Sequence, residues 1–292
     1  MSVKLIHFTA IVPGKITKRP SQFCKTPYVA DVTLNDRVDD NNKIMAHSPS
    51  LGCCGLAEAG SNVIMTKVKD QKKQKCSHTI QLAVYSECDN NVIIGINPKL
   101  GETIAEQSLV NNCILNLTNV MSYHREVTIL NSRFDFAGKD STGKPFVMEI
   151  KNVPLADYVD VSKKDRKLYE SMLATNKPSN DKIAYFPDGY RKKNTDVVSP
   201  RALKHVQELE HIAITSNGNV RAILCFIIQR DDVKHFQTSN IDVIYKDAVH
   251  KAHKNGVEIK TIQVKWNSSG ECHFVKNNLP ILLHDEDGYI TQ

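Results

Sequence analysis

The sequence predicts a mixed α/β (α+β) protein in two units: a small N-terminal β-barrel, then a mixed sheet flanked by helices. Three observations predict it. Short β-prone runs separated by turn-rich stretches recur up to about residue 88. Beyond that point strand patterns alternate with helix patterns. The chain has 292 residues, 41% hydrophobic and 24% charged, which suffices for two ordinary units with a sizeable core. The expected units are therefore 1–88 and 89–292.

In the first unit the runs are "YVADVTL" (28–34), "KIMAH" (43–47), "NVIMTKV" (62–68) and "HTIQLAVYS" (78–86). The turns "LNDRVDDNN", "SPSLGCCG" and "DQKKQKC" separate them. A five-stranded barrel of the oligonucleotide-binding (OB) type fits this size and spacing.

In the second unit "NVIIGIN" (91–97) reads as a strand or extended linker, and "GETIAEQSLVNN" (101–112) as a helix. Three strands follow: "HREVTIL" (124–130), "RFDFA" (133–137) and "PFVMEIK" (145–151). Ser199 as cap and Pro200 in the first turn open a helix over 199–214. "VRAILCFIIQ" (220–229) is apolar enough to be buried on both faces. A helix over 243–256 closes at Asn255-Gly256, and "VEIKTIQVKW" (257–266) is the last strand. Residues 154–182 are polar and read as an inserted loop or flap.

Composition narrows the functional classes. No run of about 18 apolar residues exists, so no membrane span is expected. The eight cysteines are scattered without a C-x-x-C, which argues against a disulfide framework or a zinc site. An intracellular setting is expected, cytoplasmic or nucleoid-associated. The net charge of +6 mildly favours a polyanionic partner.

The chemistry concentrates in "NSRFDFAGKDSTGKPFVMEIKNV" (131–153), two strands joined by a turn. Alternation puts Arg133 and Asp135 on one face, opposite Phe134 and Phe136. Glu149 and Lys151 share a face opposite Met148 and Ile150. The hairpin lets Asp135 and Glu149 converge, with Lys151 beside them. Two carboxylates plus water are hard oxygen ligands for Mg2+ or Mn2+. A lysine there can orient a water or neutralise transition-state charge. The bare acid-x-Lys pattern also occurs at Asp70-Lys72, Asp165-Lys167, Asp232-Lys234 and Glu258-Lys260. Only 149–151 combines a strand with an Asp-bearing neighbour. The plainer reading is a solvated sheet face with an ion pair worth ~0.5 kcal/mol.

The turn "KVKDQKKQK" supplies Lys67, Lys69, Lys72, Lys73 and Lys75. It reads either as a solvated turn that keeps an edge soluble or as a nucleic-acid backbone rim on the barrel. His47, His78 and His124 are dispersed and read as structural. Tyr185 and Phe186 read as core or a turn anchor, with Asp188 as an alternative acid facing the site.

The segments "KRPSQFCKTPYVADVTL", "SRFDF", "FVMEIKNV", "AYFPD", "PRALKHVQELEHI" and "RAILCFIIQRDDVKHF" resemble the sugar fermentation stimulation protein A family over residues 12–283. That resemblance implies an OB-like barrel followed by a restriction-endonuclease-like domain of the PD-(D/E)xK type. It implies Asp135, Glu149 and Lys151 as a catalytic triad and Glu106 as a further metal ligand. Arg133, Arg201, Lys204 and His205 are implied as nucleic-acid contacts, and Gln229 as the polar close of a core strand. The implied partner is DNA, single- or double-stranded, with RNA possible. The implied activity is metal-dependent phosphodiester hydrolysis; the alternative is a non-catalytic DNA-binding regulator that keeps the nuclease fold. The chain departs from the family's Asn-Thr-Gly-Ser-Met at Ser50-Leu51-Gly52-Cys53-Cys54. It also carries extra basic sequence, "GYRKKNTDVV", before "PRALKH".

Overall fold

Alternating apolar residues build the N-terminal sheet in the computed structural model, which describes residues 2–35, 43–50, 55–69, 75–87, 90–161, 165, 182–187 and 196–283. Its strands are β2 (Val12–Lys18), β3 (Val29–Leu34), β4 (Lys43–His47), β5 (Asn62–Lys67), β6 (His78–Glu87) and β7 (Asn90–Gly95). They run in the order β4-β3-β2-β5-β6-β7. The sheet curls until Ala46 and His47 of β4 pair in parallel with His78 and Thr79 of β6. The inward residues, among them Ile16, Val32, Val63, Met65 and Ile80, form one buried cluster. This is an OB-like curled sheet as the turn spacing predicts, but with six strands rather than five, because β2 and β7 join the four runs read from the sequence.

Two strands lie across the boundary expected at residue 88. β7 pairs with β6 in the first sheet. β1 (Lys4–His7) pairs with β16 (Glu271–Lys276) in the second. Neither pairing has a local signal, because register between segments so distant is decided by packing rather than by propensity.

The second sheet has seven strands in the order β1-β16-β15-β13-β10-β9-β8. Here β8 is Ser122–Ile129, β9 Ser132–Lys139, β10 Pro145–Val153, β13 Arg221–Ile228 and β15 Glu258–Trp266. The centre β10-β13-β15 is parallel and the flanks are antiparallel. Central parallel strands are covered on both faces, so β13 reads as an unbroken apolar run. Helix α1 (Lys99–Val110) covers one face, with Leu100, Ile104 and Leu109 against Met148, Ile150 and Ile223. Helices α2 (Pro200–Thr215) and α3 (Val243–Lys254) cover the other, with Val206, Leu209 and Val249 against Leu224 and Phe226. The cap of α2 forms as read from the sequence: the Ser199 side chain accepts from the Ala202 amide, and Pro200 stands in the first turn. A smaller sheet of β11 (Ala156–Asp157), β12 (Ile183–Phe186), β14 (His235–Thr238) and β17 (Ile281–Leu282) has no counterpart in the sequence reading. Most of the polar stretch 154–182 lies outside the described residues. Among the described residues no helix is long and apolar enough to cross a membrane.

The two units meet tightly. Ile64 and Leu82 of the first sheet share a buried cluster with Trp266 and Val264 of the second. Gly95 at the end of β7 lies against Gln229, which bonds both Asn152 Oδ1 (2.6 Å) and Trp266 Nε1 (2.8 Å). A Cβ at residue 95 would collide with the Gln229 side-chain oxygen and approach Trp266 Nε1 to 2.9 Å. Gly95→Ala is therefore expected to cost about 1–3 kcal/mol through overpacking. A urea midpoint equal to that of the unsubstituted protein would show that this joint is loose.

Candidate functional site

The antiparallel ladder between β9 and β10 stops at Met148–Phe136. Beyond it, the Ile150 amide donates to Asp135 Oδ2 at 2.7 Å, so a side-chain oxygen takes the place of a ladder carbonyl. The break corrects the simple alternation read from the sequence. Phe134 packs with the α2–α3 cluster, whereas Phe136 packs with the α1 cluster. In β10 the alternation holds. Met148 and Ile150 pack toward α1, while Glu149 meets His205 of α2.

Asp135, Glu149 and Lys151 come together on one cleft of about 340 Å³. Glu102 and Pro98 from the start of α1 and Arg201 from α2 line it as well, and Ser50 reaches it from the first unit. Tyr185 and Phe186 form part of its wall, and Phe186 packs on Phe226 and Tyr245, as a turn anchor should. Asp188, the alternative acid, lies outside the described residues.

The two acids are in different electrostatic states. Glu149 is 3% exposed. Burial opposes its charge, but Lys151 at 2.6 Å and a hydrogen bond from His205 outweigh that and hold its carboxyl below the usual glutamate range. Both partners engage Oε1; Oε2 is buried without a hydrogen-bond partner. Asp135 is pushed up to about 7, first by burial and next by the charge of Glu149, with Glu102 adding to it. The Ile150 amide and Lys151 offset only part of this.

Glu258-Lys260 on β15 gives the control for this pattern. Arg221 holds both Glu258 oxygens, at 2.7 and 2.8 Å, and Lys260 lies 3.0 Å away. Asp232 is likewise closed by Arg230 and Lys182. These are saturated structural ion pairs. The pair at 149–151 keeps an unpartnered oxygen beside a second acid whose charge is only partly offset.

Three of the expected contacts fall differently. Glu106 does not line the cleft; it accepts from Arg125 at 2.7 Å and from the Tyr123 hydroxyl at 3.4 Å. Glu102, one turn earlier, is the helix acid at the cleft, because Gly101 lets α1 approach Asn152 closely at that point. Arg133 is turned to Glu126 at 3.5 Å with its side chain 56% exposed. Of the basic trio on α2, Arg201 and His205 face the acids, whereas Lys204 donates to the Asn131 carbonyl at 2.6 Å. The separation follows from helix phase: residue 205 returns over 201, and residue 204 falls to the side. In the lysine turn, Lys67, Lys69 and Lys75 are exposed, and Lys72 and Lys73 lie outside the described residues.

Among the described residues no three His, Cys, Asp or Glu side chains gather closely enough to enclose a metal by themselves. The cleft instead offers Asp135 and the unpartnered oxygen of Glu149, with Glu102 at the rim, where Arg125 holds it at 3.2 Å.

Residues 99–163 and 173–270 match the model described as the sugar fermentation stimulation protein RE domain. The chain belongs to the sugar fermentation stimulation protein family. A sugar fermentation stimulation protein homolog of Brucella anthropi is 31% identical over 278 residues, 94% of this chain and 96% of its own length. The homolog of Brucella ovis is 28% identical, covering 93% of this chain and 92% of its own length. The structure of Pyrococcus furiosus SfsA in complex with Ca2+ superposes with a TM-score of 0.68 at 18% identity, over 96% of this chain and 100% of that one. At that identity the likeness is one of fold, and it agrees with the barrel-plus-mixed-sheet architecture.

Proposed function

We propose that the chain binds DNA and hydrolyses phosphodiester bonds with a divalent cation, Mg2+ or Mn2+, held at the Asp135–Glu149 cleft. The observation that carries this reading is the buried, unpartnered Glu149 Oε2 beside an Asp135 whose charge Lys151 and the Ile150 amide offset only in part. The donor set fits a hard cation. Mg2+ commonly takes one or two carboxylates and fills its shell with water and substrate phosphate. Asp135 and Glu149 would hold it, with Glu102 acting at the rim. A bound cation polarises the phosphate and lowers the pKa of its water. The family relative solved with Ca2+ supports a divalent ion.

The remaining roles belong to this chain's own groups. Lys151 keeps Glu149 ionised and places a positive charge at the reacting phosphate. His205 fixes the Glu149 side chain by bonding its Oε1, which leaves Oε2 without a protein partner. Arg201 balances phosphate charge across it. Lys67, Lys69, Lys72, Lys73 and Lys75 hold the backbone of the bound strand at the barrel, as DNA or as RNA. The second reading, a DNA-binding protein that does not cleave, draws on the doubly bonded Glu149 Oε1.

The two readings are separated by incubating the purified protein with single- and double-stranded DNA in Mg2+, Mn2+ or EDTA. Cleavage in metal that EDTA suppresses is the expected result. Retained binding with intact DNA under every metal would leave the second reading.

A further inference from the structure

Beside the acid cleft lies a second cavity, of about 530 Å³, on the seam where β4 meets β6. Its lining includes His47 and Thr79 from that seam, Lys75 from the turn before β6, and Asn97 and Lys99 at the entry to α1. No acid lines it. Among the described residues neither the Lys75 nor the Lys99 ammonium has a carboxylate within ion-pair distance. Asn97 is held in place: its amide donates to Gln81 Oε1 at 2.7 Å, and its Oδ1 accepts from the Lys99 amide at 3.1 Å. His47 is shifted below the usual histidine range by burial and then by Lys99, so the positive field inside the cavity acts on its own lining.

The two cavities share a rim. Pro49 lines the basic one and Ser50 the acid cleft; Lys99 lines the basic one and Pro98 the cleft. Consecutive Cα atoms stand about 3.8 Å apart, so the wall between the cavities is one residue wide at both places. The loop carrying Ser50 is clamped at its base, because Arg19 donates to the Ser50 carbonyl at 2.5 Å and to the Ala57 carbonyl at 2.9 Å.

We propose that the basic cavity is a phosphate subsite for a single nucleic-acid strand whose neighbouring backbone lies in the acid cleft, with Lys75 and Lys99 as its cationic contacts. The inference rests on the nucleic-acid reading above and adds a place and a strand form to it. A single strand freed from the duplex spaces its phosphates farther apart than the about 3.4 Å rise per nucleotide of duplex DNA, so adjoining cavities take phosphates at most a few nucleotides apart. Two concavities with a narrow common rim suit a backbone that can turn into both. A duplex with a persistence length of about 50 nm turns into neither easily.

The test is binding of a labelled short oligothymidylate in EDTA, followed by fluorescence anisotropy across a salt series, so that cleavage is never read. Lys75→Ala/Lys99→Ala is expected to flatten the log–log salt slope by about 0.7 for one lost single-strand phosphate contact. At physiological salt that weakens binding about fourfold. Lys75→Arg/Lys99→Arg is expected to restore the slope, which a fold defect in the alanine variant does not explain. A scan of single methylphosphonates along the oligothymidylate should find one position that weakens the unsubstituted protein and is silent in the alanine variant. An unchanged slope in the alanine variant overturns the subsite while the nucleic-acid reading stands, and so does a duplex equally sensitive to both substitutions. No binding by the unsubstituted protein overturns both.

Discussion

Asp135→Asn is expected to abolish cation uptake and to lower any cleavage by at least about 10²–10³-fold, the range for removing one group that stabilises charge at a reacting centre. The same substitution is expected to make the metal-free protein more stable. Asp135 is raised from 3.8 to about 7 by burial and by Glu149. A carboxyl raised in the folded state contributes stability that is fully present below its unfolded pKa and lost as pH rises through the folded one. The penalty therefore develops between about pH 4 and pH 8. A shift of this size corresponds to roughly 4 kcal/mol before screening, at 1.36 kcal/mol per pH unit. Partial exposure reduces that, and about 2 kcal/mol at pH 8 is the expected gain for the variant. Asn keeps an oxygen to accept from the Ile150 amide, so the break in the ladder survives. The measurements are urea unfolding in EDTA at pH 5 and pH 8, and Mn2+ titration calorimetry. A variant no more stable than the parent at pH 8, or one that still takes up Mn2+ as the parent does, contradicts the role given to Asp135. Stability set aside at a site for the sake of an ion fits the general cost of functional groups.

Much of this site was legible because its signals are local. Alternation in β10 put Glu149 and Lys151 on one face, and the hairpin brought Asp135 alongside. The cap at Ser199 and the proline after it fixed where α2 begins, and so which of its residues look back at the acids. What escaped was set by distance and by small phase differences. Glu102 and Glu106 lie one turn apart on the same edge of α1, so periodicity cannot choose between them. The close approach of Gly101 to Asn152 decides the matter, since Arg125 bonds both acids, Glu106 at 2.7 Å and Glu102 at 3.2 Å. Phe134 and Phe136 part company because Asp135 itself replaces a backbone acceptor, which no hydrophobic pattern announces. β1 joins a strand more than 260 residues away in the sequence. His47 read as a dispersed structural histidine because Lys75 and Lys99 reach it only through the fold.

Lys151→Ala should produce the second large effect, and its pH dependence identifies the cause. Lys151 and Glu149 have side chains 11% and 4% exposed, so this is a buried pair rather than a surface one. Removing one partner of such a pair typically costs about 3–5 kcal/mol, because a charge is left uncompensated out of water. In the unsubstituted protein the Glu149 carboxyl is depressed, so the stability it contributes is present above its unfolded pKa and lost as pH falls through the folded value. Without Lys151 only His205 remains against burial, the first of the influences on Glu149, and the folded pKa moves up. The sign of the contribution then reverses: stability is present in acid and is lost as pH rises. The gap between variant and parent should therefore be widest near pH 7–8 and narrow toward pH 4. Lys151→Arg should close most of it at every pH. Cleavage by Lys151→Ala should fall about 10²-fold or more, as for loss of one charge-stabilising donor, while Mn2+ uptake at Asp135 persists. Urea unfolding of the three proteins in EDTA from pH 4 to pH 8 settles the point. A gap that stays constant across that range means Lys151 acts by packing alone, and the charge balance assigned to Glu149 is wrong.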